Sequence, residues 1–467
     1  MKIETLSLKT TLKGARVWLN NKDSVACGFV EGTTYKTEHC GDHVVVTVDA
    51  LGTRTVAKGN IVDLQNRTMS KTFKDVDRVH VSYCEGKMVI RAYHYEEKVK
   101  RRETSLKERI MRKIPLRLGD FFFGTGLLSK KITQGLLAAG ISTSLVFAND
   151  VDRHAADIFA SCNHPSYIKA NGPVIVQDDL FTMDKSLICE MDLMIIGHPC
   201  VAFSKQQSKT RKKDIHHPLV GTLFVPLLES INRANPSFII IENSDWMLGS
   251  DTDYIISDVL DKTGYAYSHQ IVSGRDFGAF ESRERLAKVF YSKGLGELNL
   301  TELTASIQNT RKVSDVLESI SPDDNSWKPY DYLKKKNHED HHCHSFLVAQ
   351  NDDTKLPTFG ANYGRRQPDS AFLEHPTNPD LHRIFSAGEH CNVRGISGDL
   401  KREIVSIEDG THHLQNGRTN IMKAHHLLGN SIAPEPWFYV GNFIGDWLTS
   451  QFPIYNPHIE VQQELFA

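Results

Sequence analysis

The sequence predicts an α/β protein: a doubly wound, Rossmann-like sheet with a small polar insert, preceded by a β-rich N-terminal domain. Three observations predict it. From Pro115 onward, short apolar runs alternate with amphipathic stretches, the pattern of strands and helices in a parallel sheet. The first run ends in a Gly-x-Gly turn, Gly124-Thr125-Gly126, where a strand hands over to a helix. Residues 1–95 lack that alternation and hold short β-branched or aromatic runs separated by Gly and Asp. The chain therefore divides into residues 1–95, β-rich; 96–114, a basic linker; 115–293, the main sheet; 294–375, a polar region; and 376–467, a return to helical patterning.

In the N-terminal part the strand signals are Val44–Val48, Arg78–Tyr83 and Met88–Tyr93, rich in residues that suit a pleated surface. The stretches Gly14–Leu19 and Cys27–Gly32 faintly resemble small bacterial DNA-binding β modules. The linker holds Lys98, Lys100, Arg101, Arg102, Lys107, Arg109, Arg112 and Lys113. Such a run reads as a solvated helix or as a segment touching phosphates. Seven strands follow, at Leu116–Phe123, Leu145–Ala148, Val174–Val176, Leu193–Ile196, Phe238–Ile241, Gln270–Val272 and Leu286–Tyr291. Helical patterns lie between them at Leu127–Ala139 and Leu223–Arg233.

Composition narrows the class. Hydrophobic residues make up 40% and charged residues 24% of the 467, an ordinary globular balance. The net charge of −2 excludes a wholesale polycation, so any basic surface is local. Eight Cys occur without a Cys-x-x-Cys pair, which favours reduced thiols in a cytoplasmic setting. The first residues lack a signal-peptide core, and no apolar run is long enough to span a bilayer.

Ligands of a doubly wound sheet bind beyond the carboxyl ends of its strands, and the chemically useful residues fall there. After the first strand come Phe122 and Gly124-Thr125-Gly126; glycines there let the backbone approach a ligand. The second strand ends at Asp150, where a ribose hydroxyl pair is held in such folds. The third ends at Asp178-Asp179, suited to an exocyclic amine. Each acid alone reads equally well as a helix cap; three in order are less easily accidental.

The fourth strand ends Gly197-His198-Pro199-Cys200, a thiol set rigidly by a proline. A lone Cys is more often a buried thiol. Here a long basic loop, Ser204–Lys213, follows it, and cations favour thiolate and neutralise phosphates. The fifth strand delivers Glu242 from an apolar run, so desolvation should raise its pKa and poise it as an acid. Before the seventh strand, Arg283 and Arg285 share one face by alternation and can grip a planar polar group or form a structural ion pair.

At these residues the chain resembles the DNA cytosine-C5 methyltransferases. The ordered pieces are Phe122–Gly126, Asn149–Asp152, Gly197–Cys200 with Phe203-Ser204, Gly221–Phe224, Glu242–Ser244, Arg283–Arg285 and Leu428–Ile432. The resemblance implies a Rossmann-like, S-adenosylmethionine-dependent methyltransferase acting on a flipped-out cytosine. It makes Cys200 the nucleophile at C6 and puts Glu242 on N3 and the amino group. Arg285, with Arg283 behind it, holds the ring oxygen and the Cys200 loop. Phe122, Gly124, Thr125 and Gly126 cradle S-adenosylmethionine. Asp150 takes its ribose and Asp179 its adenine amine, Leu223 packs near the adenine, and Asn430 and Ser431 close the methionine end. The implied partner is double-stranded DNA, beside a cognate restriction endonuclease, for a monomer in the bacterial or phage-infected cytoplasm. Residues 294–375 become the target-recognition region, with Tyr363–Gln367 at its far edge.

The sequence departs from the family in four places: Val201 for Gln, Glu281 for Gln, Asn392 for the Arg that follows Arg383 and Glu389, and Leu127 for a third Gly. His338, His341, His342, Cys343 and His344 match no familiar closed metal site, and no metal is expected. Three other classes compete with this reading: an RNA cytosine-C5 methyltransferase, a non-catalytic DNA-binding regulator on the same fold, and a Rossmann oxidoreductase. Intact Cys200, Glu242 and Arg285 speak against the second. The third leaves the Pro-Cys, Glu-Asn and Asn430-Ser431 pieces unexplained.

Overall fold

The computed structural model describes all residues except 75, 164–170, 204–212, 332, 334–345, 367–369 and 453–467. It divides into two compact units, Met1–Thr104 and Ser105–Ala467. The helix His94–Met111, which carries most of the basic run, spans the division.

The first unit is β-rich. Its larger sheet has six antiparallel strands, in the order Lys2–Ser7, Arg78–Cys84, Lys87–Ala92, His43–Val48, Thr34–His39 and Arg54–Thr55. A three-stranded sheet joins Lys9–Thr11, Gly14–Leu19 and Val62–Asn66. Period-two alternation turns Val79, Val81 and Tyr83 inward on one strand and Met88 and Ile90 on its neighbour, and Val81 lies opposite Ile90. These side chains close a core around Phe29, Val44 and Val46.

The second unit holds the doubly wound sheet. Its strands, numbered from the first, are β1 (Leu116–Phe121), β2 (Thr143–Asp150), β3 (Val174–Gln177), β4 (Leu193–Gly197), β5 (Phe238–Asn243), β6 (Tyr265–Ser273) and β7 (Glu284–Ser292). Their order is β3-β2-β1-β4-β5-β7-β6. All seven fall where the apolar runs placed them. Strands β1 to β5 are parallel, whereas β7 runs antiparallel to both its neighbours.

Both faces of the sheet are buried, which is why the strands read as unbroken apolar runs. Along β4 and β5, Ile195 and Ile240 pack to one side, while Met194, Ile196, Ile239 and Ile241 pack to the other. The helices of this unit are α1 (Leu127–Ala138), α2 (Arg153–Ile158), α3 (Phe224–Ala234), α4 (Asp251–Lys262), α5 (Ala387–Val393), α6 (Gly398–Asp409), α7 (Ile421–Asn430) and α8 (Pro434–Gln451). From the far end of the chain, α8 brings Trp437, Val440, Ile444 and Leu448 into the core that α1 closes with Ile132 and Leu136.

Within residues 294–375 the alternation fades because the strands are very short. Lys328–Pro329, Leu381–Ile384, Ala371–Glu374 and Leu347–Val348 form a small four-stranded sheet, with Tyr330, Phe359, Phe372 and Phe385 beneath it. Its second strand lies beyond residue 375, the boundary expected from the sequence. Leu381–Ile384 pairs antiparallel with Ala371–Glu374, so a hairpin continues the sheet past the composition change. No helix among the described residues is long and apolar enough to cross a membrane.

Helices α1 and α8 touch backbone to backbone at two glycines. A Cβ on Gly135 would lie 2.0 Å from the carbonyl oxygen of Phe438, and one on Gly441 would lie 2.1 Å from that of Ile132. Overpacking of this kind costs about 1–3 kcal/mol. Gly441→Ala is therefore expected to lower the Tm by at least a few degrees in thermal unfolding followed by circular dichroism. Leu137→Ala, at an α1 side chain 61% exposed, should leave it nearly unchanged.

Candidate active site

The antiparallel course of β7 decides the site. Because β7 runs against β5, its beginning lies at the carboxyl ends of the parallel strands: Leu286 pairs with Asn243 and Ala287 with Glu242. Arg283 and Arg285, just before and within β7, thus arrive beside Glu242. The Nε of Arg285 lies 3.0 Å from Oε1 of Glu242. Cys200 follows β4 in a 3-10 turn, Cys200–Ala202, whose preceding residue is Pro199. One cavity at this edge is lined by Cys200, Glu242, Arg283 and Arg285, and also by Phe122, Gly124, Thr125, Asp150, Asn430 and Ser431.

The loop after β1 is shaped by unusual backbone. Phe122 has φ 56°, rare for a bulky residue, and its amide donates to the Asn149 carbonyl at 2.7 Å. Gly124 and Gly126 also have positive φ, 55° and 77°, and Gly126 caps α1 in the left-handed region. Asp150 clamps this loop: one carboxylate oxygen accepts the Gly124 amide at 2.8 Å and the other the Asp152 amide at 2.8 Å. Burial raises its pKa against the pull of those bonds.

Two asparagines tie neighbouring strand ends together. Asn149 donates to the carbonyls of Val176 and Asp178, at 3.1 and 2.9 Å. Asn243 donates to the His198 carbonyl at 3.1 Å and lies 3.3 Å from Nδ1 of His198. His198 lines the same cavity, and burial lowers its pKa to about 4, so the ring stays neutral near pH 7. The sequence reading gave neither Asn243 nor His198 a role; a polar residue ending an apolar strand was the available signal.

Glu242 is buried. Burial pushes its carboxyl up, Arg285 and Arg283 pull it down, and burial prevails, the direction its apolar strand implied. Arg283 is also buried and donates to the Gly429 carbonyl at 2.9 Å. Burial weighs against its charge, as do Arg285 and Arg394, while Glu281 and Cys200 support it.

Not every expected residue reaches the cavity. Asp179 is exposed, and its carboxylate accepts the Phe181 amide at 2.9 Å in a local turn. Leu223 is 6% exposed and packs in the core on the α3 side of the sheet. Neither residue lines the cavity, nor does Gly126, which acts through the backbone. Val201, the departure beside Cys200, lines it and is 44% exposed. Arg383 and Glu389 form a buried double hydrogen bond, at 2.6 and 2.8 Å. Asn392, the departure that follows them, donates to the Val316 carbonyl at 2.9 Å.

The basic loop residues 204–212, the His-rich patch 338–344 and Gln367 lie outside the described residues. Among those described, Asp157, His412 and His413 lie close enough to share a metal ion. The Leu414 amide donates to Nδ1 of His412 at 3.2 Å, which places that ring's proton on Nε2. Nε2 of His412 lies 3.3 Å from Asp157 and 3.5 Å from Glu403.

A sheet in this order, with one cavity across its carboxyl edge, defines a Rossmann-like methyltransferase domain. Residues 116–435 match the profile of the C-5 cytosine-specific DNA methylases. The chain is 24% identical over 294 residues to the Type II methyltransferase M.DsaV of Dactylococcopsis salina, covering 61% of this chain and 78% of that one. It is 26% identical over 308 residues to M.NlaX of Neisseria lactamica, covering 64% and 90%. In fold it resembles the S. pombe Dnmt2 methyltransferase, with a TM-score of 0.54 and 18% identity over 73% of this chain and 100% of that one. The chain belongs to the C-5 cytosine-specific DNA methylases.

A buried Glu242 holds its proton to higher pH than a free glutamate. If the protonated form is the active one, activity falls as pH rises through that elevated value. Glu242→Gln cannot titrate. We expect the alkaline limb of its kcat/KM–pH profile to vanish and the rate to drop about 10²–10⁴-fold in a tritiated-methyl transfer assay.

Proposed function

We propose that this protein transfers a methyl group from S-adenosylmethionine to C5 of cytosine in double-stranded DNA, through a covalent bond between Cys200 and C6. The observation that carries this reading is the single cavity. Its lining includes Phe122, Gly124 and Asp150 as well as Cys200, Glu242 and Arg285, so a cofactor and a base bound in it would share one cavity.

The cavity's residues suit the cofactor. The positive-φ loop offers close backbone approach, and Asp150 at the end of β2 is placed for ribose hydroxyls. Phe122 presents an aromatic ring to the cavity, and Asn430 and Ser431 add polar groups from α7. When bound there, S-adenosylmethionine supplies an electrophilic methyl group on a sulfonium.

The chain's own residues supply the rest. C5 of cytosine is a poor nucleophile until C6 is attacked, and covalent addition splits that step into easier ones. The Cys200 sulfur, as thiolate, forms a bond to C6; the C5–C6 pair becomes a C4–C5 double bond and the C4–N3 pair moves onto N3. Glu242 hydrogen-bonds N3 and lowers the cost of that charge. Arg285 orients Glu242 through their ion pair and faces the ring oxygen. C5, now electron-rich, takes the methyl group. A base, water in the simplest case, removes the C5 proton, and the Cys200–C6 bond breaks to restore the aromatic ring. C5 and C6 are out of reach inside a duplex, so the base must be flipped out.

Residues 294–375 would read the sequence, a role supported by their polar composition and their position after the main sheet. The Type II names of the relatives support DNA as substrate and a place beside a cognate restriction endonuclease. In that setting the protein works as a monomer on cytoplasmic DNA.

Cys200→Ser is expected to abolish methyl transfer while cofactor binding, measured by calorimetry, stays within a fewfold of the parent. Bisulfite sequencing of DNA from cells expressing the parent should show converted-resistant cytosines in one short motif. DNA without them, with methylated cytosines in cellular RNA, would move the substrate to RNA.

A further inference from the structure

We infer that the buried pair Glu281–Arg394 is a positioning device for the reaction site, setting the end of α7 and Arg283 in register with the cavity. This inference rests on the functional reading above and names residues that reading does not use. Glu281 is 1% and Arg394 2% exposed. Arg394 donates to both carboxylate oxygens of Glu281, from Nε at 2.8 Å and Nη2 at 3.0 Å, the bidentate geometry that makes such pairs strong and directional. Burial disfavours the Glu281 charge, yet Arg394 holds its carboxyl below the ordinary range.

The pair gathers three segments. Arg394 also donates to the Leu428 carbonyl through Nη1 and to the Phe359 carbonyl at 2.9 Å. Glu281 accepts the Phe359 amide at 2.8 Å. Arg283 donates to the next carbonyl of α7, that of Gly429. The last carbonyls of a helix lack partners within it and favour cations; here two buried arginines supply both. The contact leaves no slack, because a Cβ on Gly429 would lie 2.3 Å from the backbone of Gly360. Asn430 and Ser431 follow immediately and line the cavity, and Ser431 donates its amide to the Leu428 carbonyl at 2.9 Å. Whatever moves Arg394 therefore moves the Asn430–Ser431 wall and the partner of Arg283.

Two features of the sequence then have one cause. Glu281 stands where the family usually has Gln, a departure that would bury an uncompensated charge unless a cation answered it. Arg394, separated from it by 113 residues, is that cation. The site gains a charge-locked tie between the segment before β7, the Phe359 segment and α7, in which each partner makes the other tolerable.

The test is a double-mutant cycle on the full chain, with Glu281→Gln, Arg394→Gln and the two combined. The readouts are S-adenosylmethionine affinity by calorimetry, single-turnover methyl transfer, and Tm, with assays run well below the lowest Tm. Each single change leaves one buried charge unanswered and should lower transfer on the order of 100-fold, the scale of a small misplacement of reacting groups. It should also weaken cofactor binding. The double variant replaces the ion pair by an amide pair and should recover at least tenfold over the worse single. Arg394→Lys keeps the charge but not the fork, and guards against singles that fail to fold. It should fold and show a raised KM for S-adenosylmethionine. Singles and Arg394→Lys that lose Tm but keep parental kcat, KM and affinity per folded molecule would overturn the inference, as would a double variant no better than its singles. A parent chain that neither binds S-adenosylmethionine nor methylates cytosine would defeat the functional reading itself, and the inference with it.

Discussion

The buried Glu242 carboxyl lies against the Arg285 guanidinium, and much of this site follows from how the fold brings the two together. Glu242 is the last residue but one of β5, whose six residues are all buried. A parallel neighbour would bring only its own carboxyl end to that edge. The antiparallel β7 brings its beginning instead, and with it Arg283 and Arg285. The edge that collects ligands in a doubly wound sheet thus also collects guanidiniums, which no parallel strand at that place would supply from its start. Breaking either side of such a pair leaves an unanswered buried charge, so strand order and site chemistry are linked.

The part of the cavity lining that comes from the loop after β1 is organised by backbone rather than by charge pairs. Phe122 holds a left-handed conformation that a bulky residue adopts at a cost, and the hydrogen bond to Asn149 helps retain it. Asp150 spends both carboxylate oxygens on amides, one in the loop after β1 and one in its own turn. It is therefore a structural clamp as well as a candidate ligand for a ribose. The two roles are compatible because each carboxylate oxygen has a second lone pair.

The sheet was legible because both its faces are buried: seven strands could be read as seven apolar runs. That Cys200, Glu242, Arg283 and Arg285 share one cavity could be expected for a related reason: the first two follow or end apolar runs, and the arginines precede one that turned out antiparallel. Asp179 was read from a strand end and from the family resemblance, and Leu223 from the resemblance alone; neither fixes where a side chain turns. Asp179 turns back to its own loop, and Leu223 turns into the core. The small sheet was invisible because strands of two to four residues are shorter than any usable period. Ties between distant segments were beyond reach for a different reason. Nothing local marks Glu281 and Arg394, 113 residues apart, as partners, and only the fold brings them together.

The charges at the edge add up in a way the chemistry can use. Arg283 lies among Arg285, Arg394, Glu281 and Cys200, and Glu242 adds a second carboxyl through Arg285. Counted against the two glutamates alone, the three guanidiniums are in excess, and a Cys200 thiolate would balance them. They act where water is scarce, and electrostatic interactions there are stronger than in solvent. Guanidiniums so placed favour negative charge on whatever reacts beside them. In the mechanism proposed above, addition of sulfur to the cytosine ring would place negative charge on the ring, and the arginines beside Glu242 would favour that step.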